Sequence, residues 1–375
     1  MKIEAVTLHR IRMQLVMPFA TSYGTYHDRE TIIVQVQDEQ GLSGWGECVA
    51  FETPWYTEET VQGAWHMLQQ FLIPLLLQQP LDDPQQLSGR WKGVRRNPMA
   101  KAGLEMAVWD LFAKQQHKPL YQLVGGVNRQ PKVGVAIGLQ REIPDYFQLI
   151  DQYVEQGYER IKVKIKPGSD LSLISALRAR YPQLALMADA NSAYTLADAE
   201  HLQKLDAFGL LMIEQPLAVD DIIDHAKLQR ELQTPICLDE SIVSYDDARH
   251  ALELESCRVI NVKLGRVGGW NEALRIHQLC QEKNVRLWCG GMLETGIGRA
   301  HNMALASLPG FTLPGDISAS SRYWERDIIA PEVTVAGGRV TLPDLPGIGF
   351  AVDQRFLHSL TLDKLVVQAA DAQPM

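Results

Sequence analysis

The sequence predicts an α/β protein: a (β/α) barrel entered through an α+β segment and left through a tail that returns to that segment. Three observations carry this. Eight short apolar runs recur between residues 132 and 316 with helical stretches between them. The chain before them reads as strands followed by helices, and the chain after about residue 320 breaks the repeat. The divisions expected are 1–126 for the first segment, 127–320 for the barrel and 321–375 for the returning tail.

Taken in order, TIIVQVQ (31–37) and 42–48 flank the turn-rich DEQG and predict a hairpin. Helical patterns follow at about 58–78 and 99–116; in the second, Leu104, Ala107, Val108 and Leu111 share one face. Gly125-Gly126 closes the segment. The barrel strands are expected at 132–137, 160–165, 184–189, 209–214, 234–239, 258–263, 285–290 and 311–316. Helices are expected at 170–180, 196–205, 244–254 and 271–283. An open doubly wound sheet is the competing fold, but no strand is followed by a dinucleotide or phosphate fingerprint. The tail should contain a strand over 332–341 before its Gly- and Pro-rich LPDLPGIGF.

Composition narrows the function classes. A chain of 375 residues, 46% hydrophobic and 22% charged, with mean hydropathy −0.13, is an ordinary globular protein with core enough to fold without a structural metal. A net charge of −9 argues against a surface that tracks phosphates. The five cysteines form no C-x-x-C and read as reduced core thiols, which points to a cytoplasmic protein. The first twenty residues lack a signal peptide's unbroken apolar stretch, and Phe71–Leu77 is too short to span a bilayer. Neither nucleic acid nor membrane is an expected partner.

The chemistry lies at the strand ends. Five consecutive barrel strands carry Lys164, Asp189, Glu214, Asp239 and Lys263 at or near their ends, one βα unit apart, on the face where such barrels do chemistry. A single carboxylate there is more often a turn residue or helix cap, and for Asp189, followed by Ala-Asn-Ser-Ala, that reading has weight. Three on adjacent strands in one register would repel one another unless a divalent cation joined them. Hard oxygen ligands suit Mg²⁺, with Mn²⁺ as a substitute, better than zinc. Lys162, Lys164 and Lys166 share one strand face and Ile161, Val163 and Ile165 the other, so the lysines should point into the barrel. Strands 2 and 6 of an eight-stranded barrel are opposite, so Lys164 and Lys263 should face each other across the mouth. Such a site can grip a substrate carboxylate, remove the adjacent α-proton and stabilise the resulting dianion.

The segments KVK (162–164), MADAN (187–191), IEQPL (213–217), CLDES (237–241) and NVKLGRVGG (261–269) resemble the enolase superfamily, muconate-lactonizing subgroup. WCGGMLETGIGRA (288–300) narrows the resemblance to the o-succinylbenzoate synthase and N-acylamino acid (N-succinylamino acid) racemase family, over nearly the whole chain. The resemblance implies a TIM-like (β/α)7β barrel with an α+β capping domain formed by both termini, and a homo-oligomer. It implies Mg²⁺ on Asp189, Glu214 and Asp239, Lys164 and Lys263 as acid/base pair, and Lys162, Asn191 and Glu240 in support. Phe19, Ser22, Tyr23, Gly291 and Leu293 would contact substrate; Trp55 and Tyr56 would extend the lid. Glu294 matches the family segment without a role.

The activity implied is dehydration of 2-succinyl-6-hydroxy-2,4-cyclohexadiene-1-carboxylate to o-succinylbenzoate in menaquinone synthesis through an enediolate, with N-acylamino acid racemisation as a second activity. A dedicated N-succinylamino acid racemase is the alternative. Muconate cycloisomerase and dipeptide epimerase share the framework, but the epimerases carry Asp-x-Asp near strand 8 where this chain has Asp316 and Ser318. A barrel retaining only a binding role is the reading from another class, and the presence of all five strand-end residues argues against it.

Overall fold

A computed structural model of the chain describes residues 1–20 and 24–371. Two sheets organise it. The first is antiparallel, in the order β13-β1-β2-β3, built from β1 (Ile3–Ala20), β2 (Thr25–Asp38), β3 (Ser43–Cys48) and β13 (Thr361–Gln368). The expected hairpin forms with Ile32 opposite Cys48 and Gln37 opposite Ser43, and Asp38 accepts from the Leu42 amide at the turn. The long first strand and β13, which pairs with it from Ala5–Gln368 to Ile11–Thr361, were not foreseen.

The helix Pro98–Gln115 lies on this sheet so closely that side chains are excluded where they meet. A Cβ on Gly46 would stand 2.2 Å from the Gly103 carbonyl oxygen, and one on Gly44 2.1 Å from that of Ala107. The helical stretch expected at 58–78 is broken into Val61–Met67, a π turn Leu68–Leu72, and Ile73–Leu77.

The second sheet is parallel and seven-stranded: β4 (Val135–Ile137), β5 (Arg160–Lys164), β6 (Ala185–Asp189), β7 (Ile213–Glu214), β8 (Ile236–Leu238), β9 (Val259–Val262) and β10 (Arg286–Cys289), in chain order across it. The eighth strand expected over 311–316 is not a regular strand, because Pro314 has no N–H to give a ladder. The segment still closes the barrel: Leu313 donates to Leu287, Asp316 to Cys289 (2.8 Å), and Gly134 to Gly315 (2.7 Å). Inside lie Met187, Met212, Cys237, Val259 and Trp288, whereas Ile161 and Val163 face outward into the main core.

The expected strand at 332–341 is absent. Gly337 and Gly338 take left-handed φ values of 55° and 66° and reverse the chain, leaving only bridges from Arg339 to Ala336 and Lys132. A two-stranded pair, β11 (Ile329–Ala330) and β12 (Ala351–Val352), completes the tail before β13.

Candidate active site

The parallel ladder sets the geometry of the strand ends. Lys164 lies opposite Asp189, and Asp189 opposite Glu214, so one row crosses β5, β6 and β7. The next partner of Glu214 is Cys237, and Asp239 stands two residues further along. The single register expected for the three carboxylates therefore holds for two, and Asp239 is displaced by the stagger that closing a barrel demands.

Each carboxylate meets a cation. Lys164 Nζ is 2.8 Å from Asp189, Lys162 Nζ 3.0 Å from Glu214, and Lys263 Nζ 2.7 Å from Asp239. Lys162 also reaches Asp316 at 2.8 Å. Burial pulls Lys162 and Lys263 toward lower pKa. Asp316, Glu214 and Asp189 around the first, and Tyr56, Glu214 and Glu240 around the second, outweigh burial and leave both above the ordinary lysine value. Burial raises Asp189, but Lys164 and Lys162 hold it below the usual carboxylate range. Glu240 is raised by burial, and its Oε2 has no hydrogen-bond partner.

The supporting residues converge on the same place. Asn191 accepts from Lys164 and donates to Glu240 at 3.1 Å. It holds φ 40°, and Gln215, just past Glu214, holds φ 39°, conformations that cost energy for residues with a Cβ. Gln215 repays that strain by accepting from the Asp239 amide and donating to Ser241.

From the first sheet's side, Tyr56 accepts from Lys263 at 2.9 Å and donates to Asp239 at 3.2 Å. Phe19, Trp55, Tyr56, Gly291 and Leu293 all line the cavity above the strand ends. Ser22 and Tyr23 lie outside the described residues. Glu294 does not line the cavity; it accepts from the Met292 amide at 2.5 Å and so fixes the turn that does. Burial pushes its pKa up to about 7, against Arg299 and with help from Glu47.

Four further residues were not singled out from the sequence. Arg266, fully buried, is ion-paired with Asp239, and Asn261 donates to Glu214 at 2.8 Å. Arg160 holds Asp316 at 2.6 Å, and Arg322 lines the cavity. A buried arginine has no local sequence signature; only the fold supplies its partner.

The donor set bears on a metal. Among the described residues no three His, Cys, Asp or Glu side chains are grouped to hold an ion as they lie, and lysines and Arg266 are paired with the carboxylates. The chemistry of the donors nevertheless fits a hard divalent cation. Asp189, Glu214 and Asp239 offer only oxygens, and the buried Glu240 carries an unpartnered one.

Residues 2–125 match the mandelate racemase / muconate lactonizing enzyme N-terminal domain, and residues 145–356 match the enolase C-terminal domain-like family. The chain belongs to the enolase superfamily. Enzymes of this superfamily generally use Mg²⁺. Among its relatives, an o-succinylbenzoate synthase of Geobacillus stearothermophilus is 59% identical over 96% of both chains. An N-succinylamino acid racemase of Thermus thermophilus is 47% identical over 96% of this chain and 98% of its own. A crystal structure of an enolase superfamily member from Listeria innocua superposes with a TM-score of 0.96 at 43% identity, covering 98% of this chain and all of that one. The TIM-like barrel with its separate antiparallel sheet is thus the superfamily's architecture.

Proposed function

We propose that the protein is an Mg²⁺-dependent o-succinylbenzoate synthase, a lyase of menaquinone biosynthesis, that also racemises N-succinylamino acids. The observation that carries this is the 59% identity to an o-succinylbenzoate synthase across nearly all of both chains. The site's own chemistry supports it. Lys164, on β5, removes the proton α to the substrate carboxylate, and the electron pair passes into that carboxylate as an enediolate. The pair then returns to expel hydroxide from the neighbouring carbon, and the ring becomes aromatic. Lys263, charged beside Asp239, stays a cation facing the developing negative charge. Asp189, Glu214 and Asp239 would hold the Mg²⁺, with Glu240 beside them; when bound, it supplies positive charge for the substrate carboxylate.

Racemisation uses the same first step and then needs a proton donor on the far face, for which Lys263 is suited. The 47% identity to an N-succinylamino acid racemase favours this second activity. A dipeptide epimerase is disfavoured, because Asp316 is already taken by Arg160 and Lys162 and has no charge left for a substrate ammonium. Five buried, unpaired cysteines support work in the reducing cytoplasm. Among the described residues no helix is long and apolar enough to cross a membrane.

The test is turnover of the cyclohexadiene carboxylate by purified protein, with Mg²⁺ and after exhaustive chelation. Full activity in a demonstrably metal-free sample refutes the metal-dependent reading; no activity with Mg²⁺ refutes the synthase reading.

A further inference from the structure

We propose that Arg322 receives the second carboxylate of a dicarboxylate substrate, the one remote from the carbon that loses its proton. The inference rests on the reading above, in which both substrate types carry a succinyl tail, and adds the group that recognises that tail.

Arg322 differs from the other cations at the barrel mouth. Lys162, Lys164, Lys263, Arg160 and Arg266 each have a carboxylate within ion-pairing distance. Among the described residues Arg322 has none. Its recorded bonds go to neutral oxygens: Nη1 to the Tyr153 hydroxyl at 2.7 Å and Nη2 to the Ala136 carbonyl at 2.5 Å. Its guanidinium lies over the rings of Tyr153 and Tyr323, 5.1 and 5.7 Å from their centres. The group is thus held in one place, partly withdrawn from water, and left without a counter-ion. A cation so placed is costly unless an anion meets it, and the cavity it lines is where one would arrive.

Its place in the barrel fits the length of such a substrate. Ala136 belongs to β4, the first barrel strand, while Asp189 and Glu214 end the third and fourth and Asp239 directly follows the fifth. In a closed barrel the first strand is opposite the fifth. A substrate whose reacting carboxylate lies against the carboxylate-bearing strands therefore extends its tail toward Arg322, whose planar fork suits a carboxylate in two parallel hydrogen bonds. A purely structural role, tying the turn at 320–323 to β4 and Tyr153, predicts no preference between tails.

The experiment compares two substrates of nearly equal shape, N-succinyl- and N-butyryl-phenylalanine, by α-hydrogen exchange in D₂O with Mg²⁺ present. The wild type should favour the succinyl compound in kcat/KM. In Arg322→Met that preference should collapse by roughly tenfold to a hundredfold, carried mainly by KM, since one charge-assisted hydrogen bond is worth about that much. Arg322→Lys, which keeps the charge but not the fork, should fall between, and it serves as the test if the methionine variant does not fold. Equal losses on both substrates, or a wild type indifferent to the tail, overturn this assignment alone. A wild type inactive on the succinyl compound and on the cyclohexadiene carboxylate overturns the functional reading and this inference with it.

Discussion

Glu105 makes the stability of the protein fall as pH rises. It sits at the seam between the helix Pro98–Gln115 and the helix Trp270–Glu282, almost wholly buried. One oxygen accepts from the Asn271 amide at 2.5 Å, in the first turn of the second helix, where the helix dipole favours an anion. Burial opposes this, Glu272 adds repulsion, and the nearby Lys101 ammonium is spent on the Val94 carbonyl. Burial wins, and the carboxyl is pushed up from 4.5 to about 8. Between those values the folded chain keeps a proton that the unfolded chain has released. The stability this proton confers is whole below pH 4.5 and is lost as pH rises through 8. Each pH unit inside that window removes up to about 1.4 kcal/mol, so going from pH 6 to pH 8 costs up to roughly 3 kcal/mol. Glu105→Gln keeps the shape and the acceptor but cannot ionise. Urea unfolding of both proteins, followed by tryptophan fluorescence, should show a variant already more stable at pH 6, by up to about 2 kcal/mol, and increasingly so toward pH 8. Glu59 and Glu294, both raised to about 7, titrate in both proteins and cancel in the comparison. A difference between variant and wild type that stays flat from pH 6 to pH 8 refutes the reasoning.

Other substitutions test other parts of the argument. Lys164→Ala and Lys263→Ala should each abolish racemisation, while one of them still exchanges the α-proton of a single enantiomer in D₂O; a wild type that exchanges only one enantiomer would show that Lys263 is no acid/base group. Asp316→Asn leaves Arg160 and Lys162 short of a buried counter-charge and should cost about 3–5 kcal/mol in chemical denaturation. Gly46→Ala drives a methyl group to 2.2 Å from the Gly103 carbonyl, so its unfolding midpoint should drop by the equivalent of about 1–3 kcal/mol.

What could be read from the sequence was whatever repeats or breaks a local pattern. A charged residue closing an apolar strand is conspicuous, and five of them one βα unit apart mark the strand ends in the sequence itself. The stagger that sets Asp239 apart from Asp189 and Glu214 depends on how the sheet closes, which no single strand encodes. Arg266 and Arg160 look like surface arginines in the sequence, because their burial comes from Asp239 and Asp316, which are distant along the chain or belong to another strand. β1 did carry a signal, Ile11, Met13 and Leu15 alternating with Arg12 and Gln14. β13 carried almost none: most of its residues are exposed, and its position comes from pairing with β1. The segment 332–341 misled in the opposite direction, since Val333 and Val335 alternate as a strand would, until Gly337-Gly338 turns the chain.

The N-terminal part of the chain reaches the barrel's strand ends at two places, and Tyr56 offers the sharpest test of what that contact does. Glu47 of β3 accepts from the Thr295 hydroxyl at 2.7 Å and from the Thr295 and Gly298 amides, fixing the start of the helix Gly296–Ala306 just after the turn that lines the cavity. Tyr56 reaches further, placing its hydroxyl between Lys263 and Asp239. Under the proposed mechanism, Lys263 serves in dehydration only as a fixed charge, which survives the loss of one neutral neighbour. In racemisation it must also aim a proton at carbon, and there its orientation matters. Tyr56→Phe removes the hydroxyl and leaves the ring that lies 4.6 Å from the ammonium. Racemisation should therefore fall by roughly tenfold, the worth of one hydrogen bond to a charged group, while dehydration changes by much less. If both activities fall together, the hydroxyl supports the site as a whole and Lys263 has no separate duty in proton return.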